Sequence, residues 1–190
     1  YTAAILTTQY HWETFPALLA SVFLVTLTAW LIGRPALKLK GHYLAMATLG
    51  FGIIIQILFN EIVSLTGGPQ GIAGIPKLVI FGFKFATDLE LYFLVWGTVI
   101  LAQIMAVNLI GRKVGRAFLA IHTNELAAES LGIDTANLKL FVFVLSGALA
   151  GLAGVFYAYS INYLSPNPFG FNFSILLVTM VMVGGMGDPW

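Results

Sequence analysis

The amino-acid sequence predicts an all-α fold, a polytopic transmembrane bundle with about five membrane-spanning segments. Three observations lead there. Of 190 residues, 59% are hydrophobic and only 9% carry charge, against roughly 25% charged in an ordinary soluble domain. The apolar residues are gathered into several long blocks instead of one anchor. Between the blocks lie short stretches holding most of the charges and many of the Gly and Pro residues, the usual punctuation of connecting loops.

The first block, Phe15 to Gly33, is uncharged and as a helix would be about 28 Å long, close to the hydrocarbon thickness of a bilayer. Pro16 sits near its start, where a missing N–H costs little, and Arg34-Pro35 marks its end. A second block runs from Tyr43 to Leu65, a third from Leu91 to Ile110, a fourth from Leu140 to Leu164, and a fifth from Phe173 to about Gly187. The fifth stops short at "GGMGDPW", and the chain opens on Tyr1 with no signal-peptide pattern. Residues 1–190 are therefore expected to be part of a single membrane domain trimmed at both ends.

Basic residues in short loops are retained on the cytoplasmic side. Arg34, Lys38 and Lys40 follow the first block, and Arg112, Lys113, Arg116 and Lys139 lie between the third and fourth. The loop after the second block balances Lys77 and Lys84 against Asp88 and Glu90, and "SPNPFGF" after the fourth has no charge. The first pair of loops is thus expected inside and the second pair outside.

Several function classes drop out. Net charge is +1 and the few basic residues are scattered, so no surface suited to nucleic acid is expected. The chain has no cysteine, hence no disulfide framework and no thiolate metal site. His11, His42 and His122 are far apart and lack metal-ligand spacing. "TGGPQGIAGIP" has none of the Lys-Ser/Thr ending of a phosphate-binding loop and reads as a turn-rich connection. No Ser/His/Asp set or carboxylate pair suggests catalysis, and no metal or cofactor is expected on this chain.

Two features inside the blocks stand out. "SGALAGLAG" sets Gly147 and Gly151 four apart, with Gly154 on a neighbouring ridge, a spacing that lets helix backbones approach closely in lipid. Glu61 is the one carboxylate inside an apolar block, about one turn from its outer end, where snorkelling to the interface and lining a pathway are both open.

The polar stretch "AIHTNELAAESLGIDTANLK", Ala120 to Lys139, interrupts this pattern. Asn124 can cap a short helix, Glu125 lies in its first turn where the dipole favours an anion, and Gly132 can end it in the left-handed conformation. That makes about two turns. Asp134 or Thr135 then caps the next spanning helix. Ala127, Ala128 and Leu131 would form a small apolar face suited to a groove on another protein, with an amphipathic connector as the alternative.

"GRKVGRAFLAIHTNELAAESLGI" resembles the cytoplasmic loop of ABC-importer permeases, specifically the LivM-type subunit of branched-chain amino-acid importers. "LKGHYLAMATLGFG", "LTGGPQGIAGIP", "SGALAGLAGVFYA", "SPNPFGF" and "VMVGGMG" extend the resemblance in the same order from Phe15 to the end. Ala127, Ala128 and Gly132 align with the alanines and glycine of the general importer loop, while Leu126 occupies its glutamate position and Glu125 precedes it. The resemblance implies a non-catalytic permease for Leu, Ile and Val in a bacterial-type plasma membrane, with residues 111–139 as the ATPase-coupling loop. It also implies a second, homologous permease subunit, two cytoplasmic ATPase subunits that use the ATP, and an extracytoplasmic solute-binding protein. A urea-type permease is the near alternative. An ion-coupled secondary transporter would need an intramembrane ion site, for which Glu61 is the sole candidate.

Overall fold

The computed structural model describes residues 1–39, 42–80, 82–85 and 87–184, with His42 and Ala45 described by backbone alone. Lys40 and the "GMGDPW" end of the expected fifth block lie outside the described residues. In chain order the helices are α1 (Thr2–Thr8), α2 (Thr14–Ala36), α3 (His42–Glu61), α4 (Val63–Thr66), α5 (Asp88–Gly111), α6 (Lys113–Thr123), α7 (Glu125–Ser130), α8 (Thr135–Ile161) and α9 (Phe171–Gly184). Two short 3-10 helices, Gly68–Gln70 and Asn167–Phe169, and four two-residue strands join them: β1 (Ile72–Ala73), β2 (Val79–Ile80), β3 (Phe83–Lys84) and β4 (Tyr163–Leu164).

The chain is a helical membrane protein, and among the described residues three to four spans are found where the sequence predicts about five. Among the described residues α2, α5 and α8 are each long and apolar enough to cross a bilayer, and a fourth crossing exists if α3 and the bent segment after it count as one. The second block is broken: Met46–Glu61 and Val63–Gln70 meet at 80°. The hydroxyl of Thr66 donates to the carbonyls of Phe59 at 2.6 Å and Ile62 at 2.7 Å, supplying a partner to carbonyls that a continuing helix would have used. Glu61 is the last residue of α3 and stands exposed at this break. The described part of the fifth block, α9, has 14 residues, about 21 Å and short of the hydrocarbon core.

The central packing unit is the antiparallel pair of α2 and α8. Their antiparallel order follows from the contacts: a Cβ on Gly147 would meet the Ala29 Cβ at 2.7 Å, and one on Gly151 would meet the Val25 Cβ at 3.2 Å. Further along, the Tyr159 hydroxyl donates to the Thr14 carbonyl at 3.3 Å. Small residues at every fourth position let these backbones close on each other without side chains between them. α5 has no buried residue and leaves its apolar surface open to lipid or to other helices.

The buried core sits at one end of this pair. Ile72, Ile75 and Leu78 from the long turn-rich connection pack with Ala3, Ala4 and Leu18 from α1 and α2, and with Val155, Ala158, Tyr159 and Leu164 near the end of α8. β1 pairs antiparallel with β4, Ile72 opposite Leu164 and Ala73 opposite Tyr163. Thr14 donates to the Val79 carbonyl at 2.8 Å and accepts from the Val79 N–H at 2.7 Å, tying the start of α2 to the same connection. Gly71 takes φ +71°, and a Cβ there would overlap the Leu164 carbonyl, so only glycine fits this crossing.

The opposite end of the pair carries most of the basic residues. Leu37 and Leu39 after α2 line one pocket together with Phe118, Glu125 and Lys139. The two basic loops therefore meet at one end and the two weakly charged loops at the other, the pairing that the charge distribution predicts. Arg34 stacks over the Trp30 ring at 4.1 Å, an aromatic-basic anchor of the kind found where a helix leaves the hydrocarbon.

Candidate functional site

The site is the segment from Lys113 to Lys139 at the basic end. It begins with α6, an 11-residue helix on which Val114, Ala117, Phe118 and Ile121 are half-buried while Lys113, Arg116 and Leu119 face outward. The sequence expectations include no helix here, only a basic loop. The missed signal is the spacing of those four apolar residues, which is the i, i+3, i+4, i+7 stripe of an amphipathic helix.

α7 follows at once. The Asn124 side chain accepts from the Ala127 N–H at 3.2 Å, so the cap expected there is present, and Glu125 occupies the first turn. The helix has six residues. Beyond it Gly132 adopts φ +81°, and the Ile133 N–H returns to the Ala128 carbonyl at 3.1 Å, the longer bond of a left-handed helix ending. Asp134, not Thr135, caps α8 by accepting from the Asn137 N–H at 3.1 Å. Thr135 instead donates through its hydroxyl to Glu129 Oε1 at 2.7 Å.

The expected apolar face of Ala127, Ala128 and Leu131 does not form as one surface. Ala128 is 1% exposed and packs inside this chain, whereas Ala127 is exposed. The apolar residues turned outward are Leu126, 69% exposed, and Leu131, 80% exposed. The reason is geometric: in so short a helix the face that meets α8 must include the residue three past the first-turn Glu125, and that residue is Ala128. A large anion at Ala128 would therefore disturb the loop's own packing before it reached any partner.

Charge ties the segment together. Lys139 Nζ lies 2.6 Å from Glu125 Oε1, with each side chain about one third exposed. Gly147 and Gly151 lie farther along α8, against α2, and so are continuous with this site through one helix. Gly154, grouped with them from the sequence, has open space where a side chain would stand. Three residues past Gly151 is a turn of roughly 300°, which carries Gly154 off the contacting face. Among the described residues no group of three His, Cys, Asp or Glu side chains could hold a metal ion.

A family model described as "Branched-chain amino acid transport system / permease component" matches residues 1–190. The chain belongs to this family. It is 33% identical to the high-affinity branched-chain amino acid transport system permease protein LivM of Escherichia coli strain K12, over 100% of this chain and 50% of that protein. LivM of Salmonella typhimurium strain LT2 gives the same figures. The autoinducer 2 import system permease protein LsrC of Escherichia coli O9:H4 is 28% identical over 89% of this chain and 45% of that protein. The chain thus spans about half the length of these permeases. No solved structure matches it. Family membership and the apolar helices make this a multi-pass membrane protein.

Proposed function

We propose that this chain is part of the permease subunit of an ATP-driven ABC importer for leucine, isoleucine and valine in a bacterial inner membrane. The observation that carries the reading is the likeness to LivM along the whole chain, in a protein whose basic end presents a capped helix with Leu126 and Leu131 turned outward. The basic end faces the cytoplasm and α7 serves as the handle for two ATPase subunits, which consume the ATP. A second, related permease completes the membrane domain, and a solute-binding protein delivers substrate to the turn-rich end. The chain itself performs no covalent chemistry. It supplies a path and a mechanical link.

The LsrC likeness favours a second substrate reading, autoinducer 2, within the same machine. Both are tested with the full-length permease and its partner subunits in vesicles, with labelled leucine or autoinducer 2 presented by the cognate binding protein. ATP-dependent leucine uptake, competed by isoleucine and valine, is the expected result. Uptake of autoinducer 2 alone would replace the substrate and keep the mechanism. Uptake driven by an ion gradient with no ATPase co-purifying would overturn the reading.

A further inference from the structure

Two side-chain ties join α7 to α8, and they form a ladder. Lys139 Nζ meets Glu125 Oε1 at 2.6 Å, and the Thr135 hydroxyl donates to Glu129 Oε1 at 2.7 Å. Glu125 and Glu129 are four apart and share a face of α7; Thr135 and Lys139 are four apart and share a face of α8. Both ties end on a carboxylate, which strengthens and shortens a hydrogen bond. Ala128 is buried on the same short helix, so apolar contact accompanies the polar rungs.

The ladder matters because of what lies between the two helices. A six-residue helix cannot hold an orientation alone, and its exit through Gly132 at φ +81° is a natural pivot. The two rungs span that pivot. Beyond it, α8 is seated closely on α2 through Gly147 against Ala29 and Gly151 against Val25. Toward α5 there is no such seat: a groove of about 900 Å³, lined by Val95, Thr98 and Val99 of α5 and by Leu152, Phe156 and Ser160 of α8, lies between them.

We infer that Glu125, Glu129, Thr135 and Lys139 are positioning residues that lock α7 to α8, so that force applied to α7 moves α8 and α2 together against α5 and changes the width of the groove. The inference rests on the importer reading above, since it takes the force from an attached ATPase. A merely stabilising ladder would behave differently: breaking it would lower uptake and transport-linked ATP hydrolysis in step, leaving their ratio unchanged. A force-transmitting ladder lowers the ratio.

The experiment uses the full-length permease in its complete complex, reconstituted in vesicles, and reads leucine molecules imported per ATP hydrolysed. For Lys139→Gln the ratio is expected to fall about fivefold, the factor that corresponds to losing a partly exposed ion pair worth about 1 kcal/mol. Lys139→Arg should keep it near wild type, and the exchange Glu125→Lys with Lys139→Glu should recover part of the loss. An unchanged ratio in Lys139→Gln, or an exchange no better than that single change, overturns the proposal. If Lys139→Gln fails to fold, Thr135→Val against Thr135→Ser reads the other rung, with loss expected only for valine and equal ratios overturning the idea. Absence of ATPases from the wild-type complex would remove the importer reading itself, whereas a coupled wild type with coupled variants removes the ladder alone.

Discussion

The two ends of the α2–α8 pair are built by different means. At the turn-rich end, segments about ninety residues apart are tied through their backbones: β1 to β4, and the Ile75 N–H to the Asn162 carbonyl at 3.3 Å. The joint encloses buried Ile72, Ile75 and Leu78. At the basic end the ties are side chain to side chain, Glu125 to Lys139 and Glu129 to Thr135, and are local in sequence. Large apolar residues there, Leu119, Leu126 and Leu131, face outward. Backbone pairing over a dry core opens only when a large cooperative unit opens, while locally tied, exposed elements open or shift at low cost. One end is an anchor, and the other is built as the proposed handle would need to be.

The largest expected effect breaks the anchor. Gly71→Val places a branched side chain at φ +71° and its Cβ into the Leu164 carbonyl. The left-handed conformation and the overlap together should cost about 3–5 kcal/mol. A thermal melt of the full-length permease in detergent should show a marked loss of stability, and little change would mean that the β1–β4 crossing is not a structural tie.

A smaller effect tests the shaft between the two ends. Gly147→Leu forces bulk against Ala29, where even a Cβ would come within 2.7 Å, and should destabilise by about 1–3 kcal/mol. Gly154→Leu should cost far less within this chain, since nothing stands within 4 Å of its added Cβ. Comparing the two melts decides the point: equal losses would mean that Gly154 also faces a packed surface.

Legibility follows the same division. The basic end was readable where its devices are local: the Asn124 cap and Gly132 in the left-handed region each depend on residues within a few positions, whereas the choice between Asp134 and Thr135 as the next cap stayed open and the face of Ala127, Ala128 and Leu131 depended on packing against α8. α6 was readable in principle from Val114, Ala117, Phe118 and Ile121, but Lys113 and Arg116 drew attention to charge instead. The turn-rich end was opaque. Two-residue strands fall below any pattern length, and nothing in Ile72 announces Leu164 as its partner. The break at Ile62 hides for a related reason, because Thr66 reaches back seven residues to Phe59 and the sequence reading carries one block through Asn60, Glu61 and Ser64. The identities of Ala29 and Val25 as the surfaces under Gly147 and Gly151 were likewise beyond a single sequence, which shows a ridge but not the helix that receives it.

The smallest expected effect on stability sharpens the handle. Leu131 is 80% exposed and sits just past α7, as its C-terminal cap residue. Replacing it with serine removes no internal contact of consequence and leaves Gly132 to end the helix, so the melt should move by less than about 0.5 kcal/mol. A leucine held in water at the tip of a structured loop is, however, the kind of apolar projection that a partner's groove would bury. Leu131→Ser should therefore leave the yield and melting temperature of the isolated permease unchanged while lowering the amount of ATPase that co-purifies with it. The two readouts separate the outcomes. Loss of stability would mean that Leu131 packs within the full-length permease and belongs with the anchor. Unchanged stability with unchanged ATPase recovery would place the partner's contact elsewhere on the loop, with Leu126, exposed on α7 itself, as the next residue to replace.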